Sequence, residues 1–403
     1  MKGLQSLIVK VASRCNLNCS YCYVYNKGDL TYRDQPKYMS QDTVDALLLR
    51  VKNHILSNRL DVFQFVFHGG EPLLASKEFY RYFVEKANRK LARFAAITYS
   101  VQTNGVLLDD EWGTLLKELS IYIGISFDGT REIHNRYRVN HAGKGSFDEV
   151  VRGIGICNRH QPASILSVVN IESDPAEVYE TIRSIGAVSY DLLLPDATYD
   201  APEPQMNFDP GNDDTPYGDW LVRLYEYWKC DRCQPRITIQ FFESIIKMLI
   251  GEKSGNALIG NMINNILVIQ TDGSYESPLK TGIHGFTRTN YNVFKTEFDE
   301  IFDDWKVKLY HDAHLNICDT CASCPVHSVC GGGLVSHRFS RKDGFNNPSV
   351  YCKDLMRIIT HIQNDFVSSM PEETAHALGL ERLTYGQARS ALKNSLNMLH
   401  ELQ

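Results

Sequence analysis

The 403-residue sequence is long enough for one large core or two domains, and 43% hydrophobic with 22% charged residues is ordinary for a globular protein. A formal net charge of -6 provides no basic surface for nucleic acid or anionic lipid, so we expect neither partner. The start "MKGLQSLIVKVASRCN" is too short in apolar residues for a secretory signal, and no run approaches the ~20 residues of a membrane helix, which predicts a cytoplasmic protein.

Strand-like apolar runs alternate with amphipathic stretches of helical length through the first half of the chain. The six strand candidates are "LIVKVAS", "FQFVFHGG", "AITYSVQTNG", "IYIGISFDG", "ILSVVNIES" and "YDLLLPDA". Several of the intervening stretches, such as "SQDTVDALLLRVKNHIL", open on Ser or Asp, which cap helix N-termini. This pattern predicts an α/β fold with a parallel sheet, expected as a partial (β/α)6 barrel of the TIM type.

The second half of the chain is less regular. Residues 197–216 are rich in Pro and acidic residues and predict a linker, and helical patterns follow at about 217–229 and 239–251. The stretch "NILVIQTDGSYES" predicts a hairpin that turns at Asp272-Gly273, and a cysteine-rich segment comes next. We therefore expect a barrel over residues 1–196, a linker with bridging helices over 197–260, a cysteine-rich domain over 261–370 and a C-terminal helix over 371–403.

Polar or glycine-rich loops follow the predicted strands. In parallel α/β folds, ligands bind at the C-terminal ends of the strands. The loops that meet there are the three-cysteine loop at 15–22, "HGGEP", "QTNG", "SFDG" and "LPDA". The sequence thus predicts a ligand site at this rim.

The three-cysteine loop suggests which ligand. In a reducing compartment, eleven cysteines favour metal binding or chemistry over disulfides. Cys15, Cys19 and Cys22 form a C-x3-C-x2-C loop, one thiol short of the four that a cubane iron-sulfur cluster normally takes. One iron would then stay open for a small molecule, as catalytic metal sites keep a position free. The alternatives are a zinc loop with a distant fourth ligand, or three thiols without a special role.

Roughly the first half of the chain resembles the radical S-adenosylmethionine (SAM) enzymes. The resemblance rests on the loop "CNLNCSYC", on the segment "GGEP" after the next strand and on the βα pattern in register with both. The resemblance implies that Cys15, Cys19 and Cys22 hold a 4Fe-4S cluster whose open iron chelates SAM. Reduction by a low-potential donor of the flavodoxin or ferredoxin type would cleave SAM to methionine and a 5'-deoxyadenosyl radical. That radical would abstract hydrogen from the substrate.

The resemblance also implies SAM contacts at individual positions. Tyr21 matches a position that packs near the adenine, and the segment Gly69, Gly70, Glu71 and Pro72 matches the one that receives the SAM amino group. Positions that usually hold the ribose hydroxyls or the methionyl carboxylate match Gln102, Thr103, Asn104, Ser126 and Asp128. Polar residues at strand ends also cap helices and form turns, which is the alternative for these five.

Five further cysteines lie between residues 318 and 352, in loops rich in Gly and Pro, and favour a second metal site, with zinc as the competitor to iron-sulfur. The segment resembles the SPASM extension of radical SAM peptide maturases. That resemblance implies one auxiliary 4Fe-4S cluster on Cys321, Cys324, Cys330 and Cys352. Leu334 stands where a further cysteine is usual, and the hairpin also lacks the usual cysteines, so a second auxiliary cluster is not expected. Cys318 is interpreted as a bystander, and Cys230 and Cys233 stay unassigned.

The stretches "CGGGLVSHRF", "GFNNPSVYC" and "LLLPDA" further resemble the cyclophane-forming maturases of ribosomally made peptides. The resemblance implies a precursor peptide as substrate and a C–C crosslink, made when a radical at an aliphatic β-carbon attacks an aromatic ring two residues away. Asp272 and His337 are candidate bases for the ring proton, although Asp before Gly is ordinary turn chemistry and either residue can be structural. The alternatives are thioether formation, formylglycine formation or epimerisation, and a non-enzymatic zinc-stabilised scaffold.

Overall fold

The structure is a computed structural model that describes residues 4–209, 211–233, 235–254, 256, 258–260 and 262–401. It divides into two compact units. The first comprises Met1–Leu166, Ser184–Val188 and Asn264–His311, and the second comprises Ser167–Arg183, Ser189–Ile263 and Asp312–Gln403. The domain boundaries expected at residues 196, 260 and 370 remain a prediction.

Nine strands are found in the described residues, and the first six lie where the apolar runs predicted them. They are β1 Ser6–Ala12, β2 Val62–Gly69, β3 Ala96–Thr103, β4 Ile121–Ser126, β5 Ser164–Val168, β6 Ser189–Leu193, β7 Ile266–Ile269, β8 Ser274–Glu276 and β9 Arg288–Asn292. Their order along the sheet is β6-β5-β4-β3-β2-β1-β7-β8-β9. The recorded pairings from β1 to β5 are all parallel, which confirms the expected parallel α/β sheet.

Helices connect the strands and continue through the second half of the chain. The α-helices are α1 Gln41–Asn58, α2 Lys77–Leu91, α3 Asp110–Glu118, α4 Arg131–Tyr137, α5 Phe147–His160, α6 Pro175–Ser184, α7 Pro216–Cys230, α8 Gln240–Leu249, α9 Phe298–Ile301, α10 Trp305–His311, α11 Asp319–Ala322, α12 His327–Cys330, α13 Cys352–Ser368, α14 Glu372–Ala377 and α15 Tyr385–Glu401. Predicted caps are present at three helices: Ser40, Ser76 and Asp109 each accept a hydrogen bond from a backbone N–H in the first turn of α1, α2 and α3. Ser146, before α5, makes no such bond.

The two faces of the sheet differ in burial. Along β2, Phe63, Phe65 and Phe67 are wholly buried, and the rings of Phe65 and Phe67 pack edge-on against Phe83 of α2. Side chains alternate between faces along a strand, so the intervening residues of β2, which include His68, share the opposite face and are half-buried. This opposite surface is called the open face below.

The hairpin predicted at Asp272-Gly273 is confirmed, but the sequence did not predict its partner strand. β7 pairs in parallel with β1, and β8 and β9 follow in antiparallel order. Gly273 has a φ of +82°, which glycine tolerates and other residues rarely adopt. The hairpin therefore extends the sheet of the first unit beyond β1.

Within the part of the chain that the structure describes, no helix has both the length and the apolar character that crossing a bilayer requires.

Candidate active site

The three-cysteine loop follows β1 and is organised by its own backbone. Cys22 N donates to Cys19 O at 3.0 Å, and Asn26 N donates to Cys22 O at 2.8 Å. The sulfur of Cys15 accepts a hydrogen bond from Leu17 N at 3.4 Å. N–H groups directed at sulfur are a common means of tuning iron-sulfur ligands. The loop is therefore folded in a form that fits a cluster.

Burial controls the protonation of these three thiols. It raises the pKa of Cys15 to about 12 and that of Cys19 to about 11, and it raises the pKa of Cys22 as well. Cys19 and Cys22 also raise the pKa of Cys15, and Cys22 raises that of Cys19, because negative charges placed close together repel. A group of half-buried thiols of this kind becomes thiolate only when a cation compensates the charge, so the donor set suits a positively charged iron cluster.

Gly69 and Gly70 bring the end of β2 against the backbone that leads into the cysteine loop. Gly69 has a φ of +138°, and a Cβ there would overlap the carbonyl oxygen of Ala12. A Cβ on Gly70 would overlap Arg14 O and the Tyr25 hydroxyl. The short backbone bonds Gly70 N to Ala12 O, 2.8 Å, and Glu71 N to Arg14 O, 2.9 Å, depend on this approach.

Gly70→Ala is expected to lower the free energy of unfolding by about 1–3 kcal/mol, because the added methyl must displace backbone. Gly155→Ala provides the control, since no atom lies within 4 Å of a Cβ at that position on α5. Alanine at an exposed helical position is instead expected to stabilise the protein by up to about 1 kcal/mol. Chemical denaturation of both variants measures the difference, and equal stabilities would contradict the close approach at Gly70.

Glu71 connects the end of β2 to the end of β3. Its buried carboxylate accepts hydrogen bonds from Leu73 N at 2.9 Å, from Thr103 Oγ1 at 2.6 Å and from Asn104 N at 2.8 Å. Burial raises the pKa of Glu71 from 4.5 to about 7, against the lowering effect of these donors. Two of the predicted cofactor-binding stretches, "GGEP" and "QTNG", are thus joined by a carboxylate. Its expected contact with the SAM amino group stays a prediction.

The raised pKa of Glu71 predicts a pH dependence of stability in the cofactor-free protein. Between pH 4.5 and 7 the folded state holds a proton that the unfolded state has released, so the free energy of unfolding falls as pH rises through this window. The fall attributable to Glu71 is roughly 3 kcal/mol. Denaturation at pH 5 and pH 8 should show a larger loss in the parent than in Glu71→Gln. If the difference in the free energy of unfolding between the parent and Glu71→Gln did not change with pH, this prediction would be contradicted.

Tyr21 and Asp128 lie together, and Arg138 joins them. The Tyr21 hydroxyl donates to Asp128 Oδ2, and Arg138 Nε donates to the same oxygen at 2.9 Å. Burial raises the pKa of the Tyr21 hydroxyl, and the pKa of Arg138 is raised by Asp128 despite its burial. Arg138 also lowers the pKa of Cys19, which partly offsets the effect of burial. A cation beside the cysteine loop stabilises thiolate, and the sequence alone did not reveal Arg138 in this role.

Gln102, Ser126 and Asn104 complete the predicted rim. Gln102 Nε2 donates to Ser126 Oγ at 2.9 Å, across Gly124, where a Cβ would overlap the Gln102 side chain. Asn104 Nδ2 donates to Asn16 Oδ1 at 2.7 Å and also lies 3.7 Å from the Cys15 sulfur. The structure thus brings Asn104 to the cysteine loop and joins Gln102 to Ser126. Pro72 begins the short 3-10 helix Pro72–Leu74.

The second group of cysteines lies in the second unit. One small cavity is lined by Cys321, Cys324, Cys330 and Cys352, together with Thr320, Val326, His327, Gly332 and Ser349. In the described ranges, no three His, Cys, Asp or Glu side chains converge on a site for a single metal ion. Thiols that surround a space suit a cubane, whose four ligands attach to four separate irons, better than one tetrahedral zinc.

Arg338 holds the loop beside this cavity and was not identified from the sequence. Its buried guanidinium donates to the carbonyl oxygens of Ala313, Asn316, Gly331, Gly332 and Gly333, at distances of 2.8 to 3.0 Å. The three glycines all have positive φ, and a Cβ on Gly331 would overlap the carbonyl oxygen of Gly260. The "GGG" run is therefore required by the backbone path around the second cysteine group.

The remaining cysteines lie outside this cavity lining. Cys318 is buried in hydrogen-bond contact with the Cys321 thiol, which lowers the pKa of Cys318 to about 6. Its interpretation as a bystander stays a prediction. Cys157 is buried in α5, and Cys230 and Cys233 are exposed.

The two candidate bases have structural contacts. Asp272 Oδ1 accepts hydrogen bonds from Ser274 N at 2.8 Å and Ser274 Oγ at 2.6 Å, and Gln35 Nε2 donates to Oδ2 at 3.2 Å. His337 is only 1% exposed, and its ring packs 4.9 Å from that of Tyr351. The turn role of Asp272 is thus present in the structure, while a role for either residue in proton removal stays a prediction.

Comparisons with known proteins relate this geometry to a family. Residues 9–185 match the model of the Radical SAM superfamily. The chain is 27% identical over 356 residues to a cysteine-type anaerobic sulfatase-maturating enzyme of Clostridium novyi, covering 88% of this chain and 93% of that enzyme. A serine-type enzyme of Bacteroides thetaiotaomicron is 26% identical over 385 residues, covering 90% of both chains.

Solved structures show the same fold. The sulfatase-maturating enzyme anSMEcpe with bound AdoMet superposes with a TM-score of 0.76 at 24% identity, covering 91% of this chain and 99% of that one. SuiB of Streptococcus suis bound to its precursor peptide SuiA gives a TM-score of 0.59 at 14% identity, covering 87% of this chain and 76% of SuiB.

Proposed function

Because residues 9–185 match the Radical SAM superfamily and the chain is an enzyme of SAM radical chemistry, we propose that it oxidises a peptide or protein side chain at its β-carbon. The observation that carries the proposal is the preformed three-thiol loop, within a fold that nine-tenths of the chain shares with anSMEcpe. Neighbouring structures hold a Cp18Cys peptide in anSMEcpe and the precursor SuiA in SuiB, which supports a peptide substrate.

The cofactors are SAM, the 4Fe-4S cluster that binds it and an auxiliary 4Fe-4S cluster. We assign the first cluster to Cys15, Cys19 and Cys22, and the auxiliary cluster to the four thiols that line the second cavity, in a SPASM-type arrangement. When bound, SAM and its reduced cluster supply the organic radical that removes a hydrogen atom from the substrate. Arg138 would balance charge at the first loop, and Arg338 would hold the backbone around the second.

A β-carbon radical can lead to either of two products, a C–C crosslink (cyclophane) or formylglycine. Of the two, we propose the crosslink. In cyclophane formation the β-carbon bonds to an aromatic ring. The ring must then lose a proton, for which Asp272 and His337 are the candidate bases, and an electron, for which the auxiliary 4Fe-4S cluster would be the acceptor. Support for this product comes from the residues of the chain itself. They are the stretches "CGGGLVSHRF" and "GFNNPSVYC", and the absence of cysteines from the sequence of the hairpin that contains β8.

Formylglycine formation is the second candidate. Here a Cys or Ser side chain is oxidised at its β-carbon to an aldehyde. Support comes from the two sulfatase-maturating relatives, which match this chain over nearly its whole length. Both candidate reactions begin with removal of a β-hydrogen, so this step should be tested first.

The test uses anaerobically reconstituted enzyme, SAM, a low-potential reductant and two sets of β-deuterated peptides. One set carries an aromatic residue two positions from a deuterated aliphatic residue, and the other carries deuterated Cys or Ser. Transfer of deuterium into 5'-deoxyadenosine from either set supports the proposal. Transfer only from α-deuterated versions of these peptides would overturn it and favour epimerisation.

Product analysis then separates the candidates. A crosslinked peptide loses two hydrogens and shows no carbonyl. A formylglycine peptide reacts with a hydrazide, even where oxidation of Ser removes the same two hydrogens. A thioether product would instead show loss of a free thiol without reaction with a hydrazide, whereas formylglycine made from Cys loses the thiol and does react.

A further inference from the structure

Two polar side chains lie side by side on the open face of the sheet. Lys10 of β1 and His68 of β2 are register partners in the parallel pairing of these strands. Both are half-buried, whereas Val9 and Phe67, which precede them, are wholly buried in the other face. Because Gly69 and Gly70 follow His68 directly, the pair lies next to the predicted SAM-binding segment.

His68 presents an N–H donor. Its Nδ1 makes two contacts with Gly69: it accepts from Gly69 N at 2.8 Å and lies 3.2 Å from Gly69 O. The shorter contact needs an unprotonated Nδ1, and we therefore assign the ring proton to Nε2. Burial, together with the nearby charges of Lys10 and Lys280, lowers the pKa of His68 to about 4, which keeps the ring neutral near pH 7. The hydrogen bonds recorded for the described residues involve Nδ1 and leave the Nε2–H for another acceptor.

Lys10 is held in place from the hairpin side. Its Nζ lies 3.5 Å from Glu276 Oε2, and Gln270 Nε2 donates to the same oxygen. Glu276 is only 4% exposed, and its Oε1 is buried without a hydrogen-bond partner among the described residues. One carboxylate therefore fixes the Lys10 ammonium, which has three N–H donors and retains capacity for a further acceptor.

A second cation, Lys280, acts on both His68 and the cysteine loop. Lys280 contributes to the lowered pKa of His68, and its Nζ lies 4.1 Å from the ring centre of Tyr23, the residue after Cys22. Lys280 also lowers the pKa of Cys22. The charges that act on His68 are thus those of Lys10 and Lys280, and the anion Glu276 pairs with Lys10. Such a set of donors favours an anionic oxygen acceptor over a cation.

We propose that Lys10 Nζ and His68 Nε2–H form a subsite that binds a carboxylate of the substrate peptide. The identity of the ligand as a peptide group rests on the proposed function, whereas the preference for an anion rests on the side chains alone. A carboxylate bound here would hold the peptide on the open face, beside the segment that leads into the cysteine loop. Lys10 is a positioning and specificity residue in this proposal.

Bromide tests the anion preference without any peptide. Crystals of the holoenzyme with SAM would be soaked in sodium bromide and measured at the bromine absorption edge. We expect an anomalous peak in contact with Lys10 Nζ and His68 Nε2 in the parent and in Lys10→Arg, and no peak there in Lys10→Met. Lys86→Met removes the same charge from the surface of α2, where Lys86 pairs with Asp45, and should keep the peak.

Three results would overturn the subsite. They are the absence of a bromide peak in the parent, a peak that persists in Lys10→Met and so marks an adventitious ion only, and a SAM carboxylate that already occupies Lys10. Because the bromide experiment uses no peptide, its result does not depend on whether the proposed function is correct.

A peptide that the enzyme modifies tests the ligand. Lys10→Met should raise KM by roughly tenfold or more, the usual value of a charge-assisted hydrogen bond, and Lys10→Arg should restore much of the loss. Changing the acidic residue of the peptide to its amide should raise KM for the parent and have little further effect on Lys10→Met. Equal sensitivity of both enzymes to that change would overturn the assignment of the carboxylate to Lys10.

Discussion

Replacing Cys15, Cys19 and Cys22 together with alanine should abolish SAM cleavage and lower the iron content from about eight to about four per chain, on the cubane count. The seven assigned thiols form two separate groups, one following β1 and one around the cavity of the second unit. Removing the first group leaves all four ligands of the second in place. Iron and sulfide analysis with an anaerobic assay for 5'-deoxyadenosine measures both effects.

The control removes three other cysteines. Cys157 is buried in α5, and Cys230 and Cys233 are exposed, so their combined replacement by alanine should leave about eight irons and normal SAM cleavage. About twelve irons in the parent would contradict the single auxiliary cluster. Zinc without iron in an anaerobically reconstituted parent would contradict the radical mechanism, and about eight irons in the triple cluster variant would contradict the ligand assignment.

Local patterns explain why the sequence predicted the sheet and the cysteine loop. The residues of β1 and β2 combine apolar runs with β-branched and aromatic side chains, and this signal lies within each strand. The three thiols of the first loop fall within eight residues, so their spacing can be read without knowledge of the fold. The caps at Ser40 and Ser76 are equally local, since each accepts from a backbone N–H three residues later.

Contacts between distant segments explain what the sequence did not reveal. The parallel pairing of β7 with β1 joins strands about 260 residues apart, and no periodicity encodes such a partner. Arg138 and Arg338 resemble surface residues in sequence, because each lies in a short polar segment. Their partners are nearer in the chain: Asp128 lies ten residues before Arg138, and the "GGG" carbonyls lie five to seven residues before Arg338. Only the folded loops direct these groups at a buried guanidinium, so the sequence does not reveal them.

Glu71 shows how a correct motif can carry a second role. The resemblance of "GGEP" to a SAM-binding segment directed attention to a ligand ammonium. The structure adds hydrogen bonds from Thr103 and Asn104, which couple this segment to the end of β3. A variant at Glu71 would therefore disturb the rim itself as well as any contact with SAM, so its stability must be measured alongside its SAM cleavage.

Arg338→Met is expected to lower the melting temperature and the iron content, from about eight toward about four, while SAM cleavage persists. The guanidinium is 1% exposed and donates to five carbonyl oxygens around the "GGG" run. Each buried carbonyl left without a donor costs about 1–3 kcal/mol, so the loop beside Cys330 should lose its fixed path. Calorimetry and iron analysis of the same preparation measure both consequences.

Arg341→Met is the matched control, because Arg341 lies three residues further along the chain and is exposed. Its recorded hydrogen bond is made by the backbone, from Arg341 N to Asp200 Oδ2 at 2.8 Å, and survives the substitution. This variant should therefore keep its melting temperature and about eight irons. If Arg338→Met also kept both, the carbonyl contacts of Arg338 would not be what maintains the second site. If it lost SAM cleavage as well, the two cysteine groups would depend on each other in a way that their separate ligand sets do not predict.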